Sequence, residues 1–166
     1  MPFGICYNNA YILFGYKIIL AVIFMYISFF GHRDCVADIS ERMERVILSL
    51  LEELGGMTVY VGNNGAFDSL ALDLLRKIAK KHPELEYCTV LAYYNEKELL
   101  QPSVYPEEAA KAPPRFAIVA RNKWMVDRSD IVVTYVKRGF GGAYQMKEYA
   151  IKKGKRVIEL SESMAL

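Results

Sequence analysis

Residues 58–83 read TVYVGNNGAFDSLALDLLRKIAKKHP, and this stretch decides the fold class. Thr58 to Val61 is a short β-branched and aromatic run, as strands prefer, and Gly62 breaks it. Leu70, Leu74, Leu75, Ile78 and Ala79 then recur at the spacing of one helical face until His82-Pro83 ends the pattern. Strand, glycine turn and amphipathic helix in that order make one β–α unit.

The same unit repeats on both sides. Upstream, Met25 to Phe30 (MYISFF) is an apolar strand ending at Gly31. Ile39, Met43, Val46, Ile47, Leu50, Leu51 and Leu54 follow as one helical face, with Asp38 and Glu41 as a capping box and Gly55-Gly56 as the stop. Downstream, Tyr87 to Tyr94 reads as a third strand, and the proline-rich stretch from Gln101 to Arg115 as a long loop of the kind that often serves as a lid. A short helix over Arg121 to Ser129, a strand over Ile131 to Val136, a helix over Ala143 to Lys153 and a last strand over Arg156 to Leu160 complete the order. Five strands joined by crossovers predict an α/β three-layer sandwich with a five-stranded, mainly parallel sheet.

Composition narrows the function classes. The chain has 166 residues, 53% hydrophobic and 24% charged, which is globular usage and room for one domain, over residues 25–166. Lys+Arg of 21 against Asp+Glu of 19 leaves a net charge of +2 with no basic stripe, so no nucleic-acid partner is expected. Three scattered cysteines, Cys6, Cys35 and Cys88, and two histidines offer no metal-ligand spacing; they read as reduced thiols of a cytoplasmic protein without a metal site. Residues 1–24 carry one charge, Lys17, and are read as a hydrophobic extension upstream of a natural start at Met25. The competing reading is an anchor, since the apolar stretch reaches spanning length if Lys17 snorkels, and only that reading implies a membrane.

Three glycine motifs fall between a strand and a helix: Gly31-His32-Arg33-Asp34, Gly62-Asn63-Asn64-Gly65-Ala66-Phe67-Asp68 and Gly139-Phe140-Gly141-Gly142-Ala143. In a parallel sheet all three emerge at the carboxyl edge of the strands, where ligands bind, and the helix starts behind them offer free N–H groups to phosphate. Neither GxxxxGK[ST] nor GxGxxG occurs, so an NTPase and a standard dehydrogenase are not supported.

These motifs, with Arg121-Asn122-Lys123-Trp124-Met125 leading to Ser129-Asp130, resemble the SLOG superfamily. This Rossmann-like group contains the YpsA-type proteins, the DNA-processing protein DprA and the LONELY GUY cytokinin-activating enzymes, and the likeness is closest to the small YpsA-like members. It implies a nucleotide-derived ligand at the three loops, no required cofactor and a homodimer. The expected ligand-binding residues are Gly31, His32, Arg33, Gly62, Asn63, Asn64, Gly65, Asp68, Arg121, Gly139, Gly141, Gly142 and Ala143. Binding or sensing of a phosphorylated small molecule is the leading function. A LONELY GUY-type phosphoribohydrolase is the alternative, and DprA-like binding of single-stranded DNA the third.

Individual residues keep two readings at this stage. Arg33 either meets the ligand's anion or pairs with Asp34 or a neighbouring loop carboxylate, and His32 either contacts ligand or bridges the loop. Asp68 accepts from a ribose hydroxyl or is an N-cap. Arg121, which the resemblance places beside a phosphoribosyl group, is otherwise a solvated helix residue. Cys35 near a helix start is a nucleophile only if a base pairs with it in space. The hydrolases carry GGxGTxxE after the fourth strand, whereas Gln145 stands here at the glutamate with Glu148 a turn later. The resemblance therefore implies binding with little or no cleavage.

Overall fold

The computed structural model describes residues 25–34, 39–98 and 102–160. The readings of residues 1–24, of Cys35 and of Asp38 lie outside the described residues. Strand β1 spans Met25–Gly31, helix α1 Ser40–Leu54, β2 Met57–Val61, α2 Ala66–Ala79 and β3 Leu85–Val90. A two-residue strand β4, Ser103–Val104, and a short helix α3, Glu107–Lys111, precede a 3-10 turn over Pro114–Phe116. Helix α4 covers Ala117–Asp127, β5 Ile131–Tyr135, α5 Gly142–Lys152 and β6 Arg156–Glu159.

All strand pairings are parallel, in the order β4-β3-β2-β1-β5-β6. The sheet thus has six strands rather than the five expected. The difference lies in the proline-rich segment read as a loop, where Thr89 donates its N–H to the Pro102 carbonyl (2.9 Å) and Leu91 to that of Val104 (2.8 Å). Pro102 and Pro106 flank this strand on either side, and lacking N–H donors they confine it to the edge of the sheet. The third strand is displaced from the reading Tyr87 to Tyr94: it begins at Leu85 and ends at Val90, with the Leu91 N–H as its last bond to β4.

Helix α1 buries Met43, Val46, Ile47, Leu50 and Leu51, the expected stripe, and Gly55 ends it in the left-handed region at φ 71°. Ile39, not Asp38, occupies its N-cap, with no side-chain cap bond. Helices α1 and α2 pack on one face of the sheet in a core that includes Phe29, Val59, Phe67 and Leu75. Helices α4 and α5 close the other face, through Met125, Val126, Met146 and Ala150 against Phe30 and Val132. Strand β5 (IVVTY) is buried along its whole length, as a strand covered on both faces must be. Among the described residues no helix is long and apolar enough to cross a membrane.

Candidate functional site

The chain leaves β1 toward α1 on one face and β5 toward α5 on the other, so the strand order reverses between these neighbours. Crevices form at such a switch point, outside the carboxyl ends of the strands. A cavity of about 260 Å³ lies there. Gly31, His32 and Arg33 from the first loop, Gly62, Asn64 and Asp68 from the second, Arg121 from α4, and Gly142 and Ala143 from the third all line it. Asn63, Gly65, Gly139 and Gly141 do not. Phe29, Phe30, Ile118, Asn122 and Met125 complete the wall. The α4 residues could have been found in the sequence, since positions 118, 121, 122 and 125 share one helical face.

Arg121 is 2% exposed, so the solvated reading is wrong. One guanidinium nitrogen donates to the Val90 carbonyl (2.7 Å) and the other to Asn64 Oδ1 (3.2 Å), which ties α4 to the end of β3 and to the second loop. Its Nε is buried without a partner among the described residues. Burial pulls the Arg121 pKa down, opposed by the charge of Asp68. Burial likewise raises the Asp68 carboxyl above the ordinary carboxylate range, against Arg121, the Asn64 N–H and Arg33, which favour its charged form. A Cβ on Gly62 would overlap both the Arg121 guanidinium and the Asp68 carboxylate. The first glycine of GNNG is therefore what lets cation and anion converge over the end of β2.

Asp68 is not an N-cap. Gly65 holds that position with φ 135°, and Asp68 Oδ2 accepts from the Asn64 N–H (2.9 Å), bracing the loop from inside the first turn. Gly65 also admits the first loop, since a Cβ there would lie 2.7 Å from Arg33 Cγ. The Ala66 N–H donates to the Arg33 carbonyl (3.0 Å), so the first two loops are joined through backbone. Asn63 turns away and donates to Glu98 (2.6 Å).

His32 bridges the outer two loops. Its Nε2 accepts from the backbone N–H groups of Lys137 (3.1 Å) and Arg138 (3.3 Å), which requires the neutral ring with its proton on Nδ1. Asp34, the residue proposed as a partner for Arg33, pairs instead with Arg138 (2.5 Å). Arg33 is exposed and has no ion pair among the described residues. At the third loop Gly141 caps α5 at φ 94° without a side-chain cap, and a Cβ on Gly139, Gly141 or Gly142 would meet nothing within 4 Å. Gln145 and Glu148 are exposed on α5 and do not line the cavity.

The His32 contacts carry a pH dependence. Burial first, then the Arg138 guanidinium, hold its pKa below the ordinary 6.5, while Asp34 and Glu159 pull the other way. The unfolded chain then binds more protons than the folded one over a window just under about pH 6.5, so stability rises with pH there and levels off above it. Melting temperatures measured between pH 8 and pH 5 are expected to fall on the acid side of that value in the wild type. In His32→Gln, which offers an acceptor near the same place but cannot titrate, that part of the slope should vanish. Identical pH profiles for the two proteins would show that His32 does not hold the third loop in its neutral form.

No protein-family model matches the sequence, and no curated protein matches it. Among solved structures, the chain is similar to DNA processing protein A from Helicobacter pylori, with a TM-score of 0.56 and 16% identity over 84% of this chain and 66% of that one. That structure was described for its single-stranded DNA binding mode. At this identity the likeness is one of architecture: the chain has the Rossmann-like α/β fold that DNA processing protein A also has.

Proposed function

We propose that the cavity binds a phosphorylated, nucleotide-derived small molecule, with its phosphate between Arg33 and the start of α5. The observation that carries this reading is the contrast between the two arginines of the cavity. Arg121 has spent its terminal nitrogens on Val90 and Asn64, whereas Arg33 at the mouth makes no ion pair among the described residues. Gly142, lining the same cavity, begins an eleven-residue helix with no side-chain cap and open space around it. Uncapped N–H groups at the positive end of a helix dipole, together with an exposed guanidinium that has no hydrogen-bonded carboxylate among the described residues, suit an oxyanion. Asp68 in the wall supplies an acceptor for sugar hydroxyls. A volume of about 260 Å³ is just under the ~300–1,000 Å³ of drug-sized ligand sites, which fits a mononucleotide better than a dinucleotide.

Arg33→Ala is expected to weaken binding of nucleoside monophosphates about tenfold to a hundredfold, the worth of one charge-assisted contact of ~1.5–3 kcal/mol, with an unchanged melting temperature. Equal affinities by calorimetric titration would remove Arg33 from the site. Binding rather than hydrolysis is the expected outcome, because Gln145 and Glu148 stay outside the cavity. Release of free base from nucleoside monophosphates by the wild type would reverse that order.

One observation favours a second reading, single-stranded nucleic acid across the rim, which is what the structural neighbour was described as binding. Tyr93 and Tyr94 follow the carboxyl end of β3, and Phe140 follows that of β5. They are 48%, 66% and 67% exposed, and the Arg138 guanidinium sits 5.5 Å from the Phe140 ring centre. Exposed rings with cations nearby are how such proteins stack bases. Affinity for oligonucleotides that falls steeply with salt would favour it over the small-molecule reading.

A further inference from the structure

The cavity has a polar group that neither phosphate nor sugar recognition uses. Asn122, next to the buried Arg121 on α4, is half-buried, lines the cavity, and makes no hydrogen bond among the described residues. The other amide in the cavity wall, Asn64, accepts from Arg121. Ile118 and Met125, one turn before and after Asn122 on the same helix, line the cavity with it, as does Phe30 of β1. One unpaired amide flanked by apolar side chains on its own helix suits a flat heterocycle, whose orientation a few polar groups fix. The amide presents a donor and an acceptor side by side, which matches a base edge carrying the same pair in reverse.

We infer that Asn122 is the specificity-determining residue of this cavity, reading the hydrogen-bonding edge of a heterocyclic base that lies against Ile118 and Met125. This rests on the nucleotide-binding reading and gives its ligand a base-bearing class, not a sugar phosphate alone. Phosphate and base would then be read by different elements, the loops after β1 and β5 for one and the α4 face for the other.

The experiment compares adenosine 5′-monophosphate with ribose 5-phosphate by calorimetric titration against the wild type, Asn122→Leu and Asn122→Asp. The wild type is expected to prefer the nucleotide, and both variants to lose about tenfold of that preference, as for one or two neutral hydrogen bonds. Asn122→Asp keeps the side chain's shape, replaces the donor by an acceptor and adds a negative charge that both phosphate-bearing probes meet alike, so a loss of the preference between them cannot be ascribed to altered packing. If the wild type binds both probes equally, or if either variant keeps the full preference, the inference is overturned while the phosphate site stands. If the wild type binds neither probe, both readings fall.

Discussion

Arg121→Leu is expected to destabilise the protein by about 3–5 kcal/mol, the usual result of leaving a buried charge without the opposite charge near it. Leucine leaves the Val90 carbonyl and Asn64 Oδ1 without their donors, and it takes from Asp68 the strongest of the charges that favour its ionised form. The Asp68 pKa should then rise further. A carboxyl whose folded pKa exceeds its unfolded value binds extra protons in the folded state, so stability falls as pH rises through the interval between them. The variant should accordingly lie closest to wild type in acid and farthest from it at neutral pH. Chemical denaturation at pH 5 and pH 8 measures this, and Asp68→Asn added to Arg121→Leu should recover part of the loss at pH 8. A variant as stable as wild type at both values would show that Arg121 is no strut.

Gly31→Ala is expected to cost about 3 kcal/mol, at the upper end for overpacking a core, or about 6–12 °C in melting temperature at this chain length. The added methyl would coincide with the Phe67 ring. That ring has no route of escape, being fully buried and stacked on Tyr135 with centroids 6.4 Å apart and planes 5° from parallel. Because the clash is between two side chains, it should be relieved by making the second one smaller. The double variant Gly31→Ala, Phe67→Leu should be no less stable than Phe67→Leu alone. If the two losses simply add, Gly31 matters through its backbone and the ring contact is incidental.

Periodicity carried most of the fold. The stripe Met43, Val46, Ile47, Leu50, Leu51 and the unbroken apolar run of β5 admit few alternatives, because each element buries what its repeat exposes. Strand β4 left no such trace. Two residues between prolines have no period, and only the partner strand β3 makes them part of the sheet. The site divides in the same way. Glycines between strand and helix marked the three loops, since the backbone needs of a tight turn are local. What each side chain does there was not local: His32 and Asp34 are bonded to residues more than a hundred positions away, and Arg121 is buried by β3 and the second loop rather than by its own helix. Helical spacing puts Asn122 on the same face as Arg121, but that its amide stays unpaired depends on the partners that the fold brings near it.

The position of β1 bears on how the molecule assembles. Strands β1 to β3 and their helices are neighbours in sequence and can form from short-range contacts, as can β5, α5 and β6. The seam between the two groups is the β1–β5 pairing, where Tyr26 and Asp130 meet across a separation of 104 residues. Closing a loop of that length is entropically costly and slow relative to local steps, so the seam is expected to be the late event of folding. The cavity straddles this seam, with walls from both groups. A molecule bound there would bridge the two halves, stabilise only the closed form and shift the opening equilibrium by mass action. Occupancy of the cavity and integrity of the sheet would thus be thermodynamically linked, and such a molecule would act as a fastener for the one junction that the order of the chain makes hardest to form.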